Sequence, residues 1–281
     1  MRPRFLLGVY PAEHLNSLLV VSGQVIKAMG GKATAIYVAP EVPKRYFSLL
    51  NIPAGPKGET IANMFGVEWV AEKVFERVCA TLSKYGIEVE TKYVIGDPAR
   101  EIVHEIESGG YDFAAVGTSG STGIQRSILG SVSGKVAEYS RAPVLVVRRG
   151  VEIRNILVCT DGSKLANCAV KLGAYLARKM NARLTLLSVA REKELREIAE
   201  KNLDEGEEIA REQGVKVETR VKVGRVRDSI LEETKSYDLV LLGSRGLSKL
   251  QRLLMGHVSM ALVAHAETNV FVVKSCPALL V

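Results

Sequence analysis

Glycines at one fixed spacing occur twice in this chain, each time between a short apolar run and a stretch with helical spacing. The first set lies in AVGTSGSTGIQRSILGS at residues 115–131, and the second in LLGSRGLSKLQRLLMGH at residues 241–257. Glycine lets a backbone approach phosphate oxygens closely and direct amide N–H groups at them. The positions are Gly117, Gly120, Gly130, Gly243, Gly246 and Gly256. The pattern predicts a phosphate-binding loop in each of two repeated copies.

Each loop ends at a predicted helix start that offers side-chain donors beside free backbone N–H groups. Ser131 and Ser133 follow the first loop, and His257 and Ser259 follow the second. The positive end of a helix dipole favours an anion there. Neither loop is a Walker A motif, because no Gly-Lys-Ser/Thr closes it, and neither contains the G-x-G-x-x-G fingerprint. One glycine or serine alone would be ordinary turn and cap chemistry, so the prediction depends on the repeated set.

Strands and helices alternate around the loops. In the second copy the predicted strands are 154–159, 183–189, 215–223, 238–243 and 269–274, and the helices are 164–180, 192–213, 225–235 and 257–266. In the first copy the strands are 4–9, 33–39, 88–94, 113–117 and 144–148, and the helices are 12–29, 63–85, 98–107 and 131–140. This order indicates an α/β fold with two tandem doubly wound parallel sheets, each covered by helices on both faces. Such sheets bind ligands beyond the carboxyl ends of the strands, where strand order reverses.

The repeat divides the chain at Arg149-Gly150, which predicts one domain over residues 1–150 and a second over residues 151–281. The first copy is longer mainly because of a segment over residues 40–60 that is rich in proline and glycine. This segment leaves the end of the second strand, where ligands bind in such folds. It is either a lid over the ligand or a surface excursion.

The composition excludes several other classes of function. The net charge of +7 is shared by both halves and no segment concentrates it, so a nucleic-acid partner is not expected. No apolar run reaches the roughly 18 residues of a membrane span, and the N-terminal apolar run is too short for a signal peptide. We therefore expect a cytoplasmic protein with no membrane partner. The four cysteines form no Cys-x-x-Cys pair, which favours buried, reduced thiols.

Three features together resemble the universal stress protein family. They are Thr160-Asp161-Gly162-Ser163 after an apolar strand, the repeated Gly-x2-Gly-x9-Gly followed by Ser or His, and the closing Pro-Val-Leu-Val-Val at residues 143–147. The likeness covers essentially the whole chain as two tandem domains. It implies a five-stranded sheet of order 3-2-1-4-5 in each domain, with the domains paired through their fifth strands. It also implies binding of ATP or AMP, a homodimer and a regulatory role under stress.

The resemblance also implies which residues contact the nucleotide. Asp161 and Val189 would contact the adenosine end, and the glycine loop with the residue after it would hold the phosphates. Each copy departs once: Pro11 stands where the second copy has Asp161, and His257 stands where the family has a hydroxyl residue. The candidate nucleotide-binding residues are Thr160, Asp161, Val189, Gly243, Arg245, Gly246, Gly256, His257, Val258 and Ser259 in the second copy, and Val38, Gly117, Ser119, Gly120, Gly130, Ser131, Val132 and Ser133 in the first.

Two other functions are compatible with the same residues. A slow ATPase would use Mg²⁺ to bridge the phosphates, with Arg245 stabilising charge, but no side chain is positioned to activate a water. An interaction scaffold whose two sites have both decayed would bind no nucleotide. The histidines do not fall at ligand spacing, so no metal site is expected. No residue is an obvious base for hydrolysis, so no catalytic residue is expected. The sequence favours a nucleotide-binding protein over an enzyme.

Overall fold

The chain folds into alternating strands and helices, as its periodicity predicts. The computed structural model describes residues 2–12, 14–39, 67–118, 131–244 and 255–277. Ten strands and eight α-helices lie in these ranges. The segment over residues 40–60 lies outside them, as does the start of the helix predicted over residues 63–85.

The elements follow one another in the same order in both halves of the chain. The strands are β1 Arg4–Val9, β2 Lys32–Ala39, β3 Val89–Ile95, β4 Phe113–Gly117, β5 Val144–Val147, β6 Asn155–Cys159, β7 Arg183–Ala190, β8 Val217–Val223, β9 Leu239–Gly243 and β10 Asn269–Val273. The helices are α1 Leu15–Met29, α2 Val67–Leu82, α3 Pro98–Gly109, α4 Ser131–Tyr139, α5 Lys164–Met180, α6 Arg196–Glu212, α7 Val226–Thr234 and α8 His257–His265. Among these helices, none is long and apolar enough to cross a membrane.

All ten strands form one continuous sheet in the order β3-β2-β1-β4-β5-β10-β9-β6-β7-β8. Each half contains its own strands in the expected order 3-2-1-4-5, and its strands are parallel. The halves join where β5 and β10 pair antiparallel, with Val146 opposite Val270 and Val144 opposite Val272. The fold class is confirmed with one correction: the two expected sheets are halves of one sheet, because pairing the two apolar last strands covers both edges.

Successive strand residues alternate between two apolar cores. Leu7 and Val158 lie in the core beneath α1, α2, α5 and α6, whereas Leu6 and Leu157 lie in the core beneath α3, α4, α7 and α8. A parallel sheet needs this cover on both faces. The arrangement leaves the carboxyl ends of the strands as the open edge, and in the second half the strand order reverses between β6 and β9.

The cysteines differ from the sequence-based prediction. Cys168 in α5 and Cys276 after β10 form a disulfide, with Cα atoms 5.1 Å apart. Cys159 is a buried free thiol, whereas the free Cys79 is exposed. The prediction of buried, reduced thiols therefore holds for Cys159. It is wrong about the burial of Cys79, which is free but exposed, and wrong about the redox state of Cys168 and Cys276. The bonded pair is separated by 108 residues, so only the tertiary fold brings the two sulfurs together.

Candidate functional site

A cavity of about 470 Å³ opens at the carboxyl ends of β6, β7 and β9. It lies at the edge where the strand order reverses, between the neighbours β6 and β9. Its size is within the range of small-molecule pockets. Its place is the one where doubly wound sheets bind their ligands.

Most candidate residues of the second copy line this cavity. Arg245 and Gly246 lie outside the described residues. The structure therefore brings together the turn after β6, the end of β7 and the two ends of the glycine loop. The candidate residues at the cavity are Thr160, Asp161, Val189, Gly243, Gly256, His257, Val258 and Ser259.

The turn after β6 holds Asp161 at the rim of the cavity. Its carboxylate Oδ1 accepts a hydrogen bond from the N–H of Ser163 at 3.1 Å, a side-chain turn that aspartate commonly forms. Gly162 has φ of 72°, a left-handed conformation that favours glycine. Ser163 Oγ then caps α5 by accepting from the N–H of Ala166 at 3.3 Å. Local turn and cap chemistry therefore places the half-exposed Asp161 beside the cavity.

Gly243, at the end of β9, lies directly against the start of α5. A Cβ built there would be 2.9 Å from both the backbone nitrogen of Ala166 and the carbonyl carbon of Leu165. That is closer than side-chain carbons approach backbone, so this position excludes a side chain. The glycine therefore permits β9 and the first turn of α5 to meet at the floor of the cavity.

The other end of the glycine loop starts helix α8. The N–H of Gly256 donates to the carbonyl of Ser244 at 2.7 Å, which sets the helix beside the end of β9. Gly256 is the N-cap residue and no side chain caps the helix. The first N–H groups of an α-helix have no partner within the helix, and His257 and Val258 of this turn line the cavity. This wall is suited to an anion.

Ser259 lines the cavity and also makes a hydrogen bond that the sequence did not predict. It is buried, and its hydroxyl donates to the carbonyl oxygen of Gly243 at 2.9 Å. This hydrogen bond ties α8 to the end of β9. The sequence could not reveal this, because the carbonyl partner is 16 residues earlier in the chain.

Several wall residues were not found from the sequence. Ile198 and Asn202 in α6, Ile230 in α7 and Leu242 in β9 supply a largely apolar surface, and Arg191 lies at the end of β7. Ile198 is 53% exposed, which is unusual for isoleucine on a helix that faces a core. The sequence does show an apolar residue, Ile198, in the first turn of the helix that follows the second strand of this copy. Whether such a residue lines the cavity depends on how that helix packs against the sheet, which the sequence does not show.

Cys159 also lines the cavity but is not a candidate nucleophile. Burial, with a smaller contribution from the charge of Glu233, raises the pKa of its thiol to about 12. A thiol of that pKa stays protonated near neutral pH, and the thiolate is the reactive form. Across the described residues, no cluster of histidine, cysteine, aspartate and glutamate is arranged to hold a metal ion.

The corresponding edge of the first copy has a different character. Tyr10 occupies the position of Thr160, and the residue is 57% exposed. It stacks on Tyr37, with centroids 6.1 Å apart, and Tyr37 stacks on Tyr93 at 6.0 Å. Burial, with Tyr10 and Tyr93 nearby, raises the pKa of the Tyr37 phenol. A tyrosine stacked on the aromatic residues of β2 and β3 therefore stands where the second copy has Thr160.

Of the candidate residues in the first copy, only some lie where the structure describes the open edge of the sheet. Gly117 ends β4 and Ser131 begins α4. Val38 and Ser133 are buried and Val132 is half-buried. Ser119, Gly120 and Gly130 lie outside the described residues.

The fold and the cavity define a tandem α/β protein with a cavity at a strand-order reversal and an uncapped helix start in its wall. The model of the universal stress protein family matches the chain twice, over residues 3–148 and 152–274. The chain therefore belongs to the universal stress protein family, as the sequence motifs predict.

Individual relatives are consistent with this membership. The chain is 30% identical over 125 residues to universal stress protein MJ0531 of Methanocaldococcus jannaschii, which covers 44% of this chain and 69% of that protein. It is 38% identical over 76 residues to universal stress protein YxiE of Bacillus subtilis, covering 27% of this chain and 51% of that protein. The crystal structure of a universal stress protein from Archaeoglobus fulgidus has the same fold, with a TM-score of 0.73, 22% identity, and coverage of 96% of this chain and 98% of that one.

Proposed function

We propose that the second copy binds an adenine nucleotide and that the protein acts as a nucleotide-responsive regulator of the universal stress protein type. One observation carries the proposal: a single cavity joins the Asp161 turn to the uncapped start of α8. A carboxylate at one side and free backbone N–H groups at another suit a ligand with a polar ring or sugar at one end and phosphates at the other. The apolar wall between them suits a flat base.

Each part of the cavity has a role in this proposal. The backbone N–H groups of His257 and Val258 bind a phosphate, as do those of the glycine loop. Asp161 accepts a hydrogen bond from the base or the ribose, and Val189 packs against the base. The first copy has Pro11 in place of Asp161, so we propose that it contributes less to selection of the base.

Titration calorimetry with ATP and with GTP tests the role of Asp161 in the variant Asp161→Asn. Asparagine keeps a side-chain oxygen that can accept from the N–H of Ser163, so the turn is retained while the charge is removed. We expect the affinity for ATP to fall about tenfold, roughly 1.4 kcal/mol, as for the loss of a hydrogen bond to a charged group. The affinity for GTP should change less.

Asp97→Asn is the matched control. This carboxylate caps α3 by accepting from the N–H of Arg100 at 2.9 Å, and asparagine caps a helix equally well. Binding of ATP should be unaffected there. An unchanged preference for ATP over GTP in Asp161→Asn would contradict the assignment of base selection to this residue. If the freshly purified protein releases no nucleotide on denaturation and also shows no heat with ATP, the proposed function is wrong.

Two further properties belong to the same proposal. A cytoplasmic location follows if the ligand is a cellular nucleotide, and cell fractionation tests it. The family resemblance implies a homodimer, which light scattering from the purified chain tests against the mass of 30.6 kDa for one chain.

A further inference from the structure

A second cavity, of about 530 Å³, adjoins the candidate nucleotide pocket. It lies beside the turn between β8 and α7. Arg191, Val226 and Val258 line both cavities, so the two meet along a shared wall. Arg225 and Arg227 complete its basic lining. We call the surface formed by Arg191, Arg225 and Arg227 the arginine cleft.

The arginine cleft carries positive charge that the described residues do not balance. Arg227 pairs with the neighbouring Asp228, with Nε and Oδ1 2.9 Å apart. Arg191 and Arg225 are exposed, and their side chains form no ion pair with any residue in the described ranges. Three guanidinium groups against one carboxylate create a local field that attracts anions.

Arg225 also breaks a local rule that the first copy obeys. In the first copy Asp97 is the N-cap of α3, and its carboxylate accepts from the N–H of Arg100 at 2.9 Å. At the same place after β8, Arg225 is the N-cap of α7 and no side chain caps the helix. The exchange removes a cap hydrogen bond and puts a cation at the positive end of a helix, and both changes are destabilising. Natural chains tolerate such conflicts mainly at functional sites.

We propose that the arginine cleft binds a phosphate group carried by the nucleotide, in addition to the phosphate at the start of α8. The proposal rests on the proposed function and narrows its ligand to nucleotides phosphorylated at two separate places, such as nucleoside bisphosphates. Guanidinium groups bind phosphate oxygens in a two-pronged geometry, and the uncapped N–H groups of α7 add donors. The first copy has Asp97 and Ala99 in place of Arg225 and Arg227, so the cleft belongs to the second copy.

Titration calorimetry with AMP, adenosine 3′,5′-bisphosphate and inorganic pyrophosphate tests the proposal on the full chain. We expect the bisphosphate to bind the parent about tenfold more tightly than AMP. In Arg225→Asp this advantage should be lost while the affinity for AMP is kept. The variant restores an acidic N-cap, so its thermal unfolding midpoint should equal or exceed that of the parent. Loss of binding therefore cannot be attributed to misfolding.

Lys216→Asp is the control for net charge, since this exposed lysine lies just before β8, at the opposite end of the strand from the cleft. It should keep the advantage of the bisphosphate. The proposal is wrong if the parent binds AMP and the bisphosphate with equal affinity. It is also wrong if Arg225→Asp still binds the bisphosphate more tightly than AMP.

The pyrophosphate titration separates failure of this proposal from failure of the proposed function. Suppose that pyrophosphate binds the parent but not Arg225→Asp, and that AMP binds neither protein. The arginine cleft would then be an anion site, and the proposed nucleotide-binding function would be wrong. A polyglutamate peptide tests the alternative that the cleft docks an acidic protein. If the parent binds this peptide but no phosphate compound, and Arg225→Asp does not bind the peptide, the cleft is a protein-docking surface and the proposal is wrong.

Discussion

The same motif glycine meets different neighbours in the two copies. A Cβ at Gly243 would lie 2.9 Å from the backbone of Ala166, whereas a Cβ at Gly117 would have, among the described residues, only the Cβ of Leu18 near it, at 3.9 Å. The first contact is a clash with backbone, and the second is ordinary van der Waals distance. Equal spacing in sequence therefore does not mean an equal need for glycine.

The variants Gly243→Ala and Gly117→Ala separate these two cases. We expect Gly243→Ala to push α5 away from β9 and to lower the free energy of unfolding by about 1 to 3 kcal/mol, as overpacking does. Gly117→Ala should change it by less than about 0.5 kcal/mol. Chemical denaturation followed by circular dichroism measures both. Similar losses in the two variants would show that the contact with α5 is not the cause.

A repeated ion pair ties the third strand of each copy to the helix that follows it. In the first copy Lys92 on β3 pairs with Glu105 on α3. In the second copy Arg220 and Lys222 on β8 hold Glu233 on α7, at 2.5 and 2.7 Å. Burial opposes ionisation of Glu233, but the hydrogen bonds from Lys222 and Arg220 outweigh it and lower the pKa of the carboxyl group.

Glu233→Gln should destabilise the second half of the chain by about 2 kcal/mol above pH 5, because hydrogen bonds to a charged group are lost. The pKa of the carboxyl is lower in the folded than in the unfolded chain, where it is about 4.3. Its contribution is therefore present above that value and is lost as the pH falls through the folded pKa. The free energies of unfolding of the parent and of Glu233→Gln, measured across this pH range, should therefore become more similar as the pH falls.

Glu232→Gln is the control for this pair. Glu232 is 76% exposed and lies 3.5 Å from Lys222, so its loss should cost little, as for other surface pairs. A difference between parent and Glu233→Gln that stayed constant down to strongly acidic pH would mean that the loss comes from packing and not from ionisation.

The sequence predicted the elements better than the side chains between them. Helix α5 runs over Lys164–Met180, as its apolar spacing predicts, because a strongly periodic helix is specified by its own residues. The helix predicted over residues 192–213 is instead a 3₁₀ turn, Lys193–Leu195, followed by α6. The arginine cleft and the wall from α6 were not predicted, since both depend on how separate elements dock.

The whole molecule is held together by more than the pairing of β5 with β10. Asn269, at the start of β10, accepts hydrogen bonds from the N–H groups of Arg148 and Arg149 and donates to the carbonyls of Arg149 and Asp238. One buried amide therefore fixes the connection between the two copies against the second half. The family resemblance implied that the last strands would pair. The hydrogen bonds of Asn269 were not predicted, because its partner Arg149 is 120 residues earlier in the chain.

The disulfide between Cys168 and Cys276 adds a covalent constraint at the same scale. It fastens the chain after β10 to α5, and α5 supplies Ala166 to the cavity. Cytoplasmic proteins of most organisms keep their thiols reduced. The proposed cytoplasmic location therefore predicts that Cys168 and Cys276 are reduced, whereas the structure pairs them in a disulfide. Measuring the redox state of these two cysteines distinguishes the two possibilities.

Removing the disulfide should lower the stability of the oxidised protein. The bond spans 108 residues, and closing so long a loop restricts the unfolded chain strongly, so we expect Cys276→Ser to lower the free energy of unfolding by about 2 to 4 kcal/mol. A reductant should lower the stability of the parent by a similar amount and should have no effect on Cys276→Ser, since the two changes remove the same bond. Cys79→Ser, at an exposed free thiol, is the control and should match the parent in both conditions. Thermal unfolding with and without reductant measures these effects, and alkylation of all four cysteines in the unfolded, unreduced parent would show that the bond does not form in solution.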